Sequence, residues 1–130
     1  MRIKHKVRVQ IARDTDMKNK QFHPDDTEAE RVIDGYDGQV NGDLAIPQGT
    51  NEDLPTGDLT AIKGIYLEVD KDVKIKLNGG AEELDVATVA DANGVTKAEF
   101  FLEATLTAVN VAAPASEDVS GVWCMWGNKS

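Results

Sequence analysis

The acidic turns of this chain carry the residue types that calcium prefers. Residues 34–38 read Asp-Gly-Tyr-Asp-Gly and residues 14–16 read Asp-Thr-Asp, so both runs set carboxylate oxygens on flexible turns. The Asp-x-Asp-x-Asp-Gly loop with a distal Glu is absent. Because Asp and Gly also form ordinary turns, we interpret both runs as turns. Calcium binding at them is left open by the sequence.

The side chains of nucleophilic catalysis are few and scattered. His5 lies in a basic segment, His23 precedes a proline, and no Gly-x-Ser-x-Gly elbow occurs. Cys124 has apolar neighbours in sequence, which keep a thiol inert. Carboxylates are abundant enough for a glycosidase pair, but a small domain with few aromatic residues rarely builds a sugar cleft. We therefore expect no catalytic residues, no metal site and no cofactor, and a chain that is not an enzyme.

The aromatic residues could stack on sugar rings or be buried. Trp123 and Trp126 are three positions apart, so on a strand they point to opposite faces and cannot form one platform. Large apolar side chains on both faces of the segment indicate burial on both sides. We expect one of these tryptophans in the core and the other in the core or at a subunit contact. Both are candidate partner-binding residues.

Apolar residues alternate with polar ones along most of the chain, and a period of two predicts strands. Residues 2–11 alternate in this way, and residues 65–69 and 73–77 flank a short acidic turn that predicts a hairpin. Thr27 and Glu30 allow at most a two-turn helix. Further strands are predicted at residues 84–89, 98–102, 105–111 and 119–126. Residues 1–130 are thus predicted to form a single all-β domain, an antiparallel, jelly-roll-like β-sandwich.

Residues 13–58 are rich in turn residues and poor in apolar ones. A structureless stretch of this length is unusual in a compact domain. The segment is interpreted as either a set of short strands or a loop-rich arm that lies on a partner. If it is an arm, its apolar residues would be the anchors in the partner's pockets: Phe22, Leu44, Ile46 and Leu54.

Charge is distributed unevenly along the chain. The net charge is −9, with +5 in residues 1–20 and −14 in residues 21–130. The acidic body disfavours nucleic acid as a partner, and no apolar run is long enough for a membrane span. A basic row in the first strand could face acidic groups of another chain: Arg2, Lys4, Lys6 and Arg8. The single cysteine and the absence of an apolar signal segment predict synthesis in a reducing cytoplasm.

Several strand-and-turn motifs follow one another in the second half of the chain. Residues 63–70 read Lys-Gly-Ile-Tyr-Leu-Glu-Val-Asp, and residues 73–80 read Val-Lys-Ile-Lys-Leu-Asn-Gly-Gly. Residues 104–111 read Ala-Thr-Leu-Thr-Ala-Val-Asn-Val, and an Ala/Pro/Ser turn and an apolar final strand follow. This order resembles small virion structural proteins of tailed bacteriophages, and the resemblance covers roughly residues 59–126. The chain has Asn-Val-Ala at residues 110–112, where the family pattern has Asn-Pro-Ser.

The resemblance implies a β-sandwich without catalytic residues that decorates and stabilises a capsid. Its implied partners are the major capsid protein or other virion proteins, and its implied assembly is a homotrimer. Its place would be the capsid surface, reached after synthesis in the cytoplasm of a bacterial host. The alternatives are a tail or head-completion component and, from another class, a carbohydrate-binding β-sandwich module of a host-recognition fibre.

Overall fold

Strands make up the regular structure of the part of the chain described by this computed structural model, which covers residues 2–8, 11–12, 20–21 and 28–129. These residues contain no helix that is long and apolar enough to cross a membrane. The strands are β1 (Arg2–Arg8), β2 (Ile11–Ala12), β3 (Lys20–Gln21), β4 (Glu28–Asp34), β5 (Gly38–Ile46), β6 (Asn51–Asp53), β7 (Ala61–Val69), β8 (Val73–Leu77), β9 (Leu84–Val86), β10 (Val89–Ala90), β11 (Thr96–Leu106), β12 (Val109–Ala112) and β13 (Val119–Asn128).

Contacts within the chain group it into two compact units, residues 1–36 and 37–130. In the first unit β1 pairs with β4 and β2 pairs with β3, both antiparallel. The strand predicted over residues 2–11 is confirmed for Arg2–Arg8, and residues 9–10 lie outside the described part of the chain. The short helix allowed at residues 27–33 is wrong for Glu28–Asp34, because pairing with β1 makes this segment a strand and overrides its local helix signals.

The second unit is a sandwich of two antiparallel sheets, which confirms the predicted fold class. One sheet has five strands in the order β10-β11-β7-β13-β5, and the other has four in the order β6-β12-β8-β9. Alternate residues of both sheets meet in one apolar core. Its fully buried members include Ile65, Leu67, Ile75, Val111 and Met125. This core is why the segments with a period of two fold as strands that each bury one row of side chains.

Residues 65–69 and 73–77 are strands, but they do not form the predicted hairpin. β7 lies in the five-stranded sheet and β8 in the four-stranded sheet. The backbone N–H of Asp70 donates to the carbonyl of Ser120, and the carboxylate of Asp70 accepts from the N–H of Ser120. The end of β7 is thus fastened to β13, and the chain crosses to the other sheet. Both apolar rows then face the same core across the sandwich.

Many of the acidic and amide residues in the loops fasten strand connections. The Asp72 carboxylate accepts hydrogen bonds from the backbone N–H and the hydroxyl of Thr88. The Asp118 carboxylate accepts from the N–H of Gln48, and the Asn78 side chain accepts from the N–H of Thr107. These bonds account for much of the turn-like composition that the sequence analysis noted.

Residues 37–58 form strands β5 and β6 and their connections, so for this segment the first of the two interpretations is correct. Leu44, Ile46 and Leu54 are 3%, 1% and 4% exposed and belong to the core. The assignment of these three residues as anchors in a partner is therefore corrected, because their side chains are already packed within this chain. Phe22 lies outside the described residues.

Candidate interaction surface

The side of the five-stranded sheet that points away from the core carries the most unusual surface of the sandwich. The strand register sets three rows across β11, β7, β13 and β5. These rows are Glu103-Gly64-Trp126-Gln39, Phe101-Tyr66-Cys124-Asn41 and Glu99-Glu68-Val122-Asp43. We call these three rows the aromatic–acidic face, since they combine three aromatic residues with four carboxylates.

Trp126 is the anchor of the first row. It is 2% exposed but does not belong to the core cluster that contains Trp123 and Met125. Its ring centroid lies 5.8 Å from that of Phe101, with 33° between the ring planes. A Cβ atom on Gly64 would overlap the indole ring, so the glycine provides the space in which the ring lies. The indole Nε1 is buried and has no hydrogen-bond partner, which is unusual for a buried tryptophan.

The two tryptophans therefore point to opposite faces of β13, as the sequence predicts. Trp123 is 5% exposed and lies in the core, and Trp126 is buried on the aromatic–acidic face. Neither indole is accessible as a platform for a sugar ring.

Tyr66 and Glu68 form a polar network with two residues of β11. The Tyr66 hydroxyl donates to Glu68 Oε2 over 3.0 Å. Lys97 Nζ lies 3.3 Å from Glu99 Oε1 and 3.9 Å from Glu68 Oε1. The pKa of Lys97 is raised, mainly by its hydrogen bond with Glu99 and then by the charge of Glu68. Exposed ion pairs of this kind stabilise a fold little, so the network contributes mainly charge and hydrogen-bonding groups to the surface.

The Tyr66 phenol gives this network a measurable signature. Its pKa is raised to about 12, mainly by burial, then by the hydrogen bond to Glu68 and by the charges of Glu99 and Glu68. We expect the difference in tyrosinate absorbance between the wild type and Tyr66→Phe to titrate near this value. Glu68→Gln should lower the midpoint but leave it above the ordinary value of about 10, since burial remains. A wild-type midpoint at the ordinary value would contradict the network.

The raised pKa of Tyr66 predicts that the protein loses stability at alkaline pH. The folded state holds the phenol proton more tightly than the unfolded chain does. The stabilisation linked to this proton is therefore fully present below about pH 10 and is lost as the pH rises to about 12.

The other two members of β13 on this face differ in character. Cys124 is partly buried, and burial raises the pKa of its thiol, which opposes formation of the nucleophilic thiolate. Val122 is 46% exposed. It lies in β13 between Glu68 of β7 and Asp43 of β5.

The outer side of the four-stranded sheet is polar and paired. The ammonium group of Lys74 lies 3.4 Å from Glu83, and that of Lys76 lies 3.7 Å from the same carboxylate. The Asn110 amide donates to the side chains of Asn51 and Asp53. This side is thus typical of a solvated sheet surface, in contrast to the aromatic–acidic face.

Metal-ligating groups do not converge in the described residues, where no cluster of three or more His, Cys, Asp or Glu could hold a metal ion. In the turn at residues 34–38, the Asp37 carboxylate accepts the backbone N–H of Lys129 over 2.8 Å. Asp37 is thus used to fasten the end of β13. Residues 14–16 lie outside the described part of the chain.

The basic row of the first strand is placed by its backbone register. Arg2, Lys6 and Arg8 have Asp34, Glu30 and Glu28 as their Cα partners in β4, and Lys4 is paired with Val32. Three of the four basic positions are therefore opposite acidic positions of the same ribbon. The assignment of this row to another chain stays a prediction.

The aromatic–acidic face is not among the sites predicted from the sequence. Alternation in residues 65–69 already separates Tyr66 and Glu68 from the core row, and alternation in residues 98–102 does the same for Phe101. Alternation does not show that β11 pairs with β7 and that β7 pairs with β13. These two pairings join the outward-facing residues of the three strands into one surface.

Comparisons with protein-family models, with curated proteins and with solved structures found no match to this chain.

Proposed function

We propose that this chain is a structural protein of a tailed-phage particle that binds the capsid surface and stabilises the shell. The observation that carries the proposal is the N-terminal ribbon, the antiparallel pair of β1 and β4, which belongs to a compact unit of its own. A two-stranded antiparallel ribbon is at best marginally stable alone in water. Such a ribbon gains stability by lying on a further surface, as an arm on a neighbouring shell protein does.

The strand order of the sandwich supports its jelly-roll topology. The short β10 is omitted, and the eight remaining strands from β5 to β13 are numbered 1 to 8 in chain order. The five-stranded sheet without β10 then has the order 1-8-3-6, and the four-stranded sheet has the order 2-7-4-5. Eight strands in this arrangement, with connections that cross between the sheets, are characteristic of jelly rolls. Viral capsid domains and lectins both use this fold, so it agrees with the proposal without deciding between these two uses.

The aromatic–acidic face supplies the contact chemistry of the proposal. An exposed valine flanked by carboxylates, beside partly buried aromatic rings, resembles the apolar centre and polar rim of protein interfaces. A capsid surface with basic groups around an apolar depression would complement it. The net charge of −9 on the whole chain favours such a partner by steering.

A binding experiment on particles tests the proposal. Particles lacking the chain would be prepared from the phage whose genome encodes it, and purified chain would be added back. We expect saturable binding at a fixed number of copies per particle. Val122→Lys should weaken binding about tenfold or more, since it sets an ammonium group at the apolar centre of the interface, where single substitutions have effects of this size.

Leu84→Lys is the matched control, because Leu84 has the same exposed fraction of 46% and lies in the other sheet. The control should bind like the wild type. Absence of saturable binding by the wild-type chain would contradict the virion role, and equal loss in both variants would contradict the use of this face.

The carbohydrate-binding alternative has one observation in its favour, the adjacency of Tyr66 and Phe101 on a face that also carries carboxylates. Both rings are only partly exposed, and the larger indole rings are buried. Quenching of aromatic fluorescence by host surface polysaccharide, abolished by Tyr66→Ala, would favour this alternative over capsid binding.

A further inference from the structure

The strands at the four edges of the sandwich differ in length and regularity. β10 pairs only with Thr96 and Lys97, so most of β11 also lies at that edge, but this stretch has a register shift between Glu103 and Leu106 and carries charged residues. β10 has two residues, and β6 and β9 have three residues each. β5, at the end of the five-stranded sheet, has nine residues. Short edges limit accidental pairing with other chains, whereas a long regular edge invites it.

β5 lacks the features with which proteins protect an exposed edge. Its register with β13 runs without a bulge from Gly38 to Ile46. It contains no lysine, arginine or proline, and Asp43 is its one charged residue. In the part of the chain that the structure describes, no strand pairs with its other side. Alternate residues along it are exposed: Gln39, Asn41, Asp43 and Ala45.

The sequence of β5 complements itself in one antiparallel arrangement. With Gly42 on a two-fold axis, all nine residues pair, and Asn41 lies opposite Asp43 of the other copy. The Asn41 amide can then donate to that carboxylate, twice in each pair of copies. On the core side, Val40 lies opposite Leu44 of the other copy, so the apolar row continues. A parallel in-register pair would instead set Asp43 against Asp43, which is unfavourable.

We infer that two copies of this chain join through β5, in antiparallel register about Gly42, to make one ten-stranded sheet. A closed two-fold contact of this kind uses the same patch on both copies. The inference does not depend on the virion role. It differs from the trimer implied by the resemblance, and the two assemblies have different masses.

Sedimentation equilibrium of the full chain tests the inference, and the side chain at position 41 identifies the edge. We expect a dimer. Asn41→Asp sets two carboxylates face to face at two places, so it should raise the dissociation constant about tenfold. Asn41→Lys sets an ammonium group opposite Asp43 and should lower the constant several-fold. If the lysine only blocked pairing at the strand edge, Asn41→Lys would raise the dissociation constant instead.

Asn93→Asp and Asn93→Lys are the matched controls. Asn93 is exposed in the turn between β10 and β11, at the far edge of the same sheet, so these variants repeat the two charge changes away from β5. They should leave the constant unchanged within about twofold, as distant exposed charges are screened. A monomer at every concentration, a trimer, or a dimer that responds equally at positions 41 and 93 would each overturn the inference.

Discussion

Replacing Trp126 with alanine is expected to lower the free energy of unfolding by about 3–5 kcal/mol. The side chain is 2% exposed and packs against Phe101 and over Gly64, so its removal leaves a cavity that the rigid sheet below cannot fill. Chemical denaturation followed by far-ultraviolet circular dichroism measures the change, since the second indole, Trp123, complicates a fluorescence signal. A loss below about 1 kcal/mol would mean that the ring is not buried on this face.

Trp126→Phe separates the packing of the ring from the cost of its N–H group. The smaller ring loses part of the contact with Phe101, but it also removes the buried Nε1, which has no hydrogen-bond partner. An unsatisfied buried donor costs about 1–3 kcal/mol. We therefore expect Trp126→Phe to cost far less than Trp126→Ala. Both variants lack Nε1, so equal losses would show that an aromatic ring contributes no packing at this position.

Gly64→Ala is expected to destabilise the protein by about 1–3 kcal/mol, the range found for an overpacked site. The added methyl group would overlap the indole ring of Trp126, which is held between Gly64 and Phe101 and has little room to move. The same denaturation experiment measures the loss.

A double-mutant cycle makes this prediction specific to the indole. In a Trp126→Ala background the methyl group meets no ring, so Gly64→Ala should cost at least about 1 kcal/mol less than in the wild type, as contacting residues couple by this amount. Ordinary loss of backbone freedom at a strand glycine would be the same in both backgrounds. Additive effects would therefore contradict the packing of the ring on Gly64.

The sequence predicted the strands well and their partners poorly. Alternation in residues 65–69 and 73–77 identifies which side chains are buried, because a period of two follows from strand geometry alone. It does not state whether two neighbouring strands share a sheet. That choice depends on bonds such as those between Asp70 and Ser120, which join positions far apart in the sequence.

The same limit explains why the sequence left residues 37–58 open between short strands and an arm. Leu44 and Ile46 are few among many polar residues, and their burial comes from the pairing of β5 with β13 at the other end of the chain. A local count of apolar residues underestimates such a strand, since β13 and the core supply most of its contacts. Tyr66 and Phe101 were likewise separable from the core by alternation, but only the register of β11 with β7 makes them neighbours.

The proposals concern three surfaces, and each surface has its own experiment. Val122→Lys tests the aromatic–acidic face, substitutions at Asn41 test the β5 edge, and the ribbon is tested by locating it on a particle. If the β5 pair forms in solution and particle binding fails, the self-association stands while the virion role is contradicted.

The most direct test of the central proposal is to determine whether purified particles of the encoding phage contain this chain and where it lies. Mass spectrometry would give its copy number, and cryo-electron microscopy would give its position. We predict many copies on the outer capsid, with the N-terminal ribbon lying on a neighbouring protein. Absence from particles made in cells that express the chain, or density confined to the tail or its fibres, would contradict a capsid decoration role.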